Sequence, residues 1–133
     1  MLKDIASDLN VQRVQAITIS SSTTTYSTSI DTKDMDTGAF LAFLCTAYTD
    51  GSYAITLQDS ADNSSFADLA TGQYNGGSTS LTVAAATAAL ANMPKLGASG
   101  NRRYLRAKIV STTVTTGAAI SVIAVVSNEL SPI

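Results

Sequence analysis

Between Arg102 and Val110 the side chains split at period two into an apolar and a polar face. Leu105, Ala107 and Ile109 fall on one side, and Tyr104, Arg106 and Lys108 on the other; Arg102 continues the polar side one step back. Successive side chains of a strand point to opposite faces, so this stretch reads as a strand with one face in a core. Tyr53, Ile55 and Leu57 alternate in the same way with Ala54, Thr56 and Gln58. Before them, Thr49-Asp50-Gly51-Ser52 carries the Asp-Gly turn signal, which predicts a hairpin with the run that precedes it. That run, Ala39 to Tyr48, is apolar on both faces, with Phe40, Ala42 and Leu44 against Leu41, Phe43 and Cys45. Ala118 to Val126 is similar, and reads as the last strand and a central one. Runs of this kind are strands buried on two sides or covered by a partner. Leu57, Leu105, Ile109, Val122 and Ile123 are the expected core.

The remaining segments are shorter. Ala16 to Ile19 and Leu81 to Val83 read as strands, Tyr26 to Ile30 as a return to a sheet, and Phe66 to Leu69 as a short return strand. Ser20 to Thr25 is a Ser/Thr tract; Asp31 to Gly38 and Asp59 to Ser65 are turn-rich. Thr71 to Ser80 and Lys95 to Asn101 read as Gly-containing loops, and Ser111 to Gly117 as a Thr-rich hairpin connection. Ala84 to Ala91 is open between helix, which Ala favours, and strand; Pro94 ends it. Short strands at roughly even spacing predict an all-β fold, an antiparallel β-sandwich that is jelly-roll-like or related. The sandwich spans 16–127, with an extended or short-helical N-terminal arm over 1–15 and a tail over 128–133.

Composition narrows the function classes. A chain of 133 residues forms one domain with a real core. Hydrophobic residues at 45 % with only 14 % charged exclude disorder. The chain has no His, so it lacks the usual general base at neutral pH. Cys45, the one cysteine, excludes an internal disulfide and a Cys-rich zinc site, and its apolar surroundings suit a core thiol. Gly72-Gln73-Tyr74-Asn75-Gly76-Gly77 lacks the Lys and Ser/Thr of a phosphate loop. No enzyme activity and no cofactor are expected. Asp31, Asp34 and Asp36, and likewise Asp59, Asp62 and Asn63, bring together oxygen ligands of the kind Ca²⁺ takes. Neither group has EF-hand spacing and these residues are ordinary turn formers, so no metal is expected. A net charge of −2 argues against nucleic acid as the main partner. No apolar run is long enough to span a bilayer, and the first residues lack the apolar stretch of a secretory signal, so synthesis in the cytoplasm is expected.

The charge that matters is local. Four of the eight basic residues lie between 102 and 108, a positive stripe on a negative chain. Such a stripe protects an edge strand from unwanted pairing, pairs with the chain's own acidic loops, or docks on an acidic protein surface. Arg suits the last role through bidentate contacts to carboxylates. The candidate interface residues are Arg102, Tyr104, Arg106 and Lys108, joined by apolar residues near the two ends, Leu2, Ile5, Leu130 and Ile133.

Three segments together carry a resemblance: Ser29-Ile30-Asp31 through Phe40-Leu41-Ala42-Phe43; Thr49 to Ser60 running on to Asp62-Asn63-Ser64-Ser65-Phe66-Ala67-Asp68-Leu69; and Gly100-Asn101-Arg102-Arg103-Tyr104-Leu105-Arg106-Ala107 with the Thr-rich stretch after it. Over residues 16 to 127 the chain resembles small structural proteins of tailed bacteriophages encoded near the major capsid gene. The resemblance implies a virion component, a capsid cement or decoration protein on the capsid surface. Its partners would be the major capsid protein and further copies of itself, with no active site, no nucleic acid and no membrane. The chain departs from the pattern at 84–91 and 127–133. A head–tail connector or tail protein is the alternative within the virion. A carbohydrate-binding module is the alternative outside it, with tyrosines as stacking platforms but no Trp.

Overall fold

The computed structural model describes residues 9–32, 39–75, 78–84, 95–99 and 102–127. Among them the strands are β1 (Leu9–Ile19), β2 (Thr24–Tyr26), β3 (Ile30–Asp31), β4 (Ala39–Tyr48), β5 (Ser52–Ser60), β6 (Ala67–Asp68), β7 (Tyr74–Asn75), β8 (Leu81–Val83), β9 (Lys95–Ala98), β10 (Tyr104–Thr112) and β11 (Ala118–Ser127). One sheet has the order β1-β11-β4-β9-β7. In the other, β10 and β5 are central, β2 and β3 pair with the free edge of β10, and β6 and β8 with that of β5. Every pairing is antiparallel. The fold is an all-β sandwich.

The pairings nest. β1 pairs with β11, β2 with β10, β4 with β9 and β5 with β8. The β11–β4 and β10–β5 pairings then knit these ribbons into the two sheets. The core lies between the sheets and follows the period-two pattern. Leu41, Phe43, Cys45, Ile120, Val122 and Leu96 come from one sheet, and Tyr53, Ile55, Leu57, Leu105 and Ile109 from the other; all are buried. Of the expected core, Ile123 differs. It is half-buried, because β11 turns Ile120, Val122 and Ala124 inward and leaves Ile123 on the outer face opposite Ala42. A strand apolar on both sides hides which side is inner.

The Asp50-Gly51 turn joins two sheets and makes no hairpin. β4 and β5 belong to different sheets. Both edges of β4 are taken by β11 and β9, and both edges of β5 by β10 and by β6 with β8, so neither has an edge for the other. Residues 113–117 make the same kind of crossing from β10 to β11, which corrects the second expected hairpin. The two crossings are laced together. The Asp50 carboxylate accepts the backbone N–H of Thr115 at 3.1 Å, of Thr116 at 3.0 Å and of Gly117 at 2.9 Å. The Thr49 N–H donates to Gly117 O at 2.9 Å. The Tyr53 hydroxyl donates to Asp50 O at 2.7 Å, inside the sandwich. Three N–H donors on one carboxylate hold its pKa below the usual range.

Two boundaries also move. β1 begins at Leu9, so residues 9–15 belong to the first sheet and are no separate arm. Lys95–Ala98 is a strand, since antiparallel pairing with β4 and β7 supplies backbone partners that local Gly content does not reveal. The Ser/Thr tract acts as lacing: the Ser111 hydroxyl donates to Thr23 O at 2.8 Å and the Val114 N–H to Ser22 Oγ at 3.1 Å.

Candidate docking face

β10 carries the stripe across the outside of the second sheet. Leu105, Ala107 and Ile109 are fully buried, while Tyr104, Arg106 and Lys108 are half-buried on the other face. Register puts Arg106 beside Gln58, Lys108 between Thr56 and Tyr26, and Tyr104 between Ser60 and Asp31.

Arg106 is held by three neighbours. Its Nε and Nη2 donate to Gln58 Oε1 at 3.0 and 2.8 Å. Its Cζ lies 4.0 Å from the Tyr26 ring centroid and 3.8 Å from that of Phe66, close enough for cation–π attraction to both. Gln58 lies beneath and is buried; its Nε2 donates to Asp68 Oδ1 at 2.9 Å. Lys108 Nζ stands 3.6 Å from the same oxygen. Tyr26 is 42 % exposed, which makes it the most open large apolar side chain among the described residues.

Arg102 does not share this face. Strand geometry starts at Tyr104, so the alternation does not extend back to 102. Asp59 on β5 is buried, and a buried carboxylate requires a partner. Arg102 supplies it: its backbone N–H donates to Asp59 Oδ2 at 2.9 Å, its Nε to Oδ1 at 3.1 Å and its Nη2 to Oδ1 at 2.9 Å. Arg103 pairs with Asp31 through Nε and Nη2 at 3.0 and 2.8 Å, and its Cζ lies 5.0 Å from the Tyr104 ring centroid. Leu2, Ile5, Leu130 and Ile133 lie outside the described residues.

Sequence reasoning missed Gln58, Tyr26, Phe66 and Asp68 as parts of this face. Alternation along Tyr53–Gln58 already turned Gln58 outward, and that signal was usable. Nothing local in Tyr26, Phe66 or Asp68 marks them; the fold brings Tyr26 and Phe66 to Arg106, and Asp68 to Gln58 and Lys108.

The acidic loops are engaged in turns. Asp62 accepts the N–H of Ser64 and Ser65 and the Ser60 hydroxyl, contacts that hold its pKa at about 2. Asp34 and Asp36 lie outside the described residues. Among the described residues no three His, Cys, Asp or Glu side chains group to hold a metal. Burial pushes the Cys45 thiol up, and its Sγ–H donates to Ala47 O at 3.3 Å. Among the described residues no helix is long and apolar enough to cross a membrane. No protein-family model, no curated protein and no solved structure matches the chain.

Proposed function

We propose that this protein is a structural component of a tailed-phage virion, a cement or decoration protein that bridges and stabilises major capsid protein subunits on the capsid surface. The observation that carries the reading is the nested strand pairing, first with last and inward to β5–β8. Nesting of this kind supports a jelly-roll reading, an architecture viral capsid proteins and lectins use. The resemblance over residues 16 to 127 supports the virion among its uses. The mechanism is thermodynamic. A protein that binds only the assembled shell stabilises it by mass action, and many copies on a lattice act together.

The test is co-sedimentation of the purified protein with shells of the major capsid protein encoded beside it. Saturable binding, with a rise in the temperature at which shells disrupt, is the expected outcome. A protein that stays in the supernatant overturns the reading. One observation favours a second reading, a carbohydrate-binding module: the exposed Tyr26 ring is a stacking platform. Retardation by an immobilised polysaccharide, without shell binding, would support it instead.

A further inference from the structure

We propose that Arg106 is the docking point for a carboxylate side chain of the partner protein, an inference that rests on the virion reading above. The other basic side chains of the stripe already face acids: Arg102 Asp59, Arg103 Asp31 and Lys108 Asp68. Arg106 faces Gln58, Tyr26 and Phe66, all neutral, and makes no ion pair among the described residues. Its Nε and Nη2 are engaged by Gln58, and Nη1 makes no hydrogen bond among the described residues. Among those residues no buried side-chain nitrogen lacks a partner, so Nη1 opens to solvent. The structure therefore presents one guanidinium edge, already fixed in orientation, with an unneutralised charge.

A fixed side chain loses little entropy on binding. A guanidinium edge matches a carboxylate in shape and charge. Lys108, two residues on along the same face, adds positive potential, and the exposed Tyr26 ring beside it adds the aromatic contact typical of interface anchors. A nucleic-acid backbone fits poorly. Asp31 and Asp68 share the face, the chain is net negative, and phosphate tracking needs several unpaired cations.

The test uses the full chain, isotope-labelled, titrated with a capped Gly-Glu-Gly-Glu-Gly peptide and followed by NMR. Shifts centred on the Arg106 guanidinium and the Tyr26 ring are expected, absent with the Gln counterpart of the peptide. Arg106→Lys keeps the charge and loses the fork, and should weaken binding about tenfold, the loss expected for one charged hydrogen bond. Arg106→Gln should abolish it. Unchanged thermal midpoints of both variants exclude misfolding as the cause. Equal shifts from the Gln peptide, or equal affinity of Arg106→Lys, overturn the proposal. So does tighter binding of a thymidine oligonucleotide at the same resonances. Shells that bind wild type and Arg106→Lys alike overturn the proposal while the virion reading stands. Arg106-dependent peptide binding without shell binding supports the carboxylate site and overturns the virion reading.

Discussion

Asp59 sits 3 % exposed at the end of β5, and the arginine that neutralises it lies just outside the strand opposite. Period two places Leu105 and Arg106 correctly but fails at Arg102, because alternation is a property of the strand and the strand begins at Tyr104. The burial of Asp59 could not be read from the sequence: Asp59-Ser60 looks like the start of a polar turn until Arg102 is known to cover it. Arg102→Ala should therefore destabilise the fold by about 1–3 kcal/mol, a figure kept low because half of the Arg102 side chain is exposed. Leu105→Ala should cost about 2–5 kcal/mol through a cavity between the sheets. Urea midpoints check both. An unchanged midpoint for Leu105→Ala would mean that β10 turns its other face inward. Asp62 gives the pH dependence its sign. Its folded pKa of about 2 lies below the ordinary value near 3.9, so its contribution is complete above about pH 4 and is lost as pH falls toward 2. Asp50 acts in the same direction. Acid titrations of stability should be flatter over that window in Asp62→Asn than in wild type, with identical curves counting against the turn contacts.

The elements themselves were legible wherever apolar and polar residues alternate or run together: β4, β5, β10 and β11 all stand where the pattern put them. Their partners were not. Asp50-Gly51 supplies a tight turn with Gly51 at φ +97°, but a turn signal says nothing about which edges remain free. β4 and β5 have none left for each other, so the turn becomes a crossing between sheets. The second crossing depends on Gly117, at φ +114°. A Cβ there would come within 1.7 Å of Ile19 O, a backbone atom that cannot yield without moving β1. Gly117→Ala should cost more than about 2 kcal/mol. Gly72→Ala, with open space around it, should stay within about 0.5 kcal/mol of wild type. Thermal midpoints that fall equally in the two variants would contradict this difference between a loop and a crossing.

Among the described residues the two sheets present unlike outer faces. On the outer face of the first sheet the described positions of β4 and β11 are Ala42, Leu44, Thr46, Ala119, Ser121, Ile123 and Val125, all uncharged, and the exposed Lys95 of β9 lies opposite Ala42. On β10 they include Tyr104, Arg106 and Lys108, with Arg106 held between neutral neighbours. The docking proposed at Arg106 uses the second sheet, where the described charged side chains concentrate. A cryo-EM reconstruction of expanded shells incubated with the protein tests the account most directly. It predicts a two-layered β density on the outer capsid surface, the β10 sheet toward the shell and an acidic side chain of the capsid protein at Arg106. Bare shells, or attachment only through the sheet of β11 and β4, would contradict it.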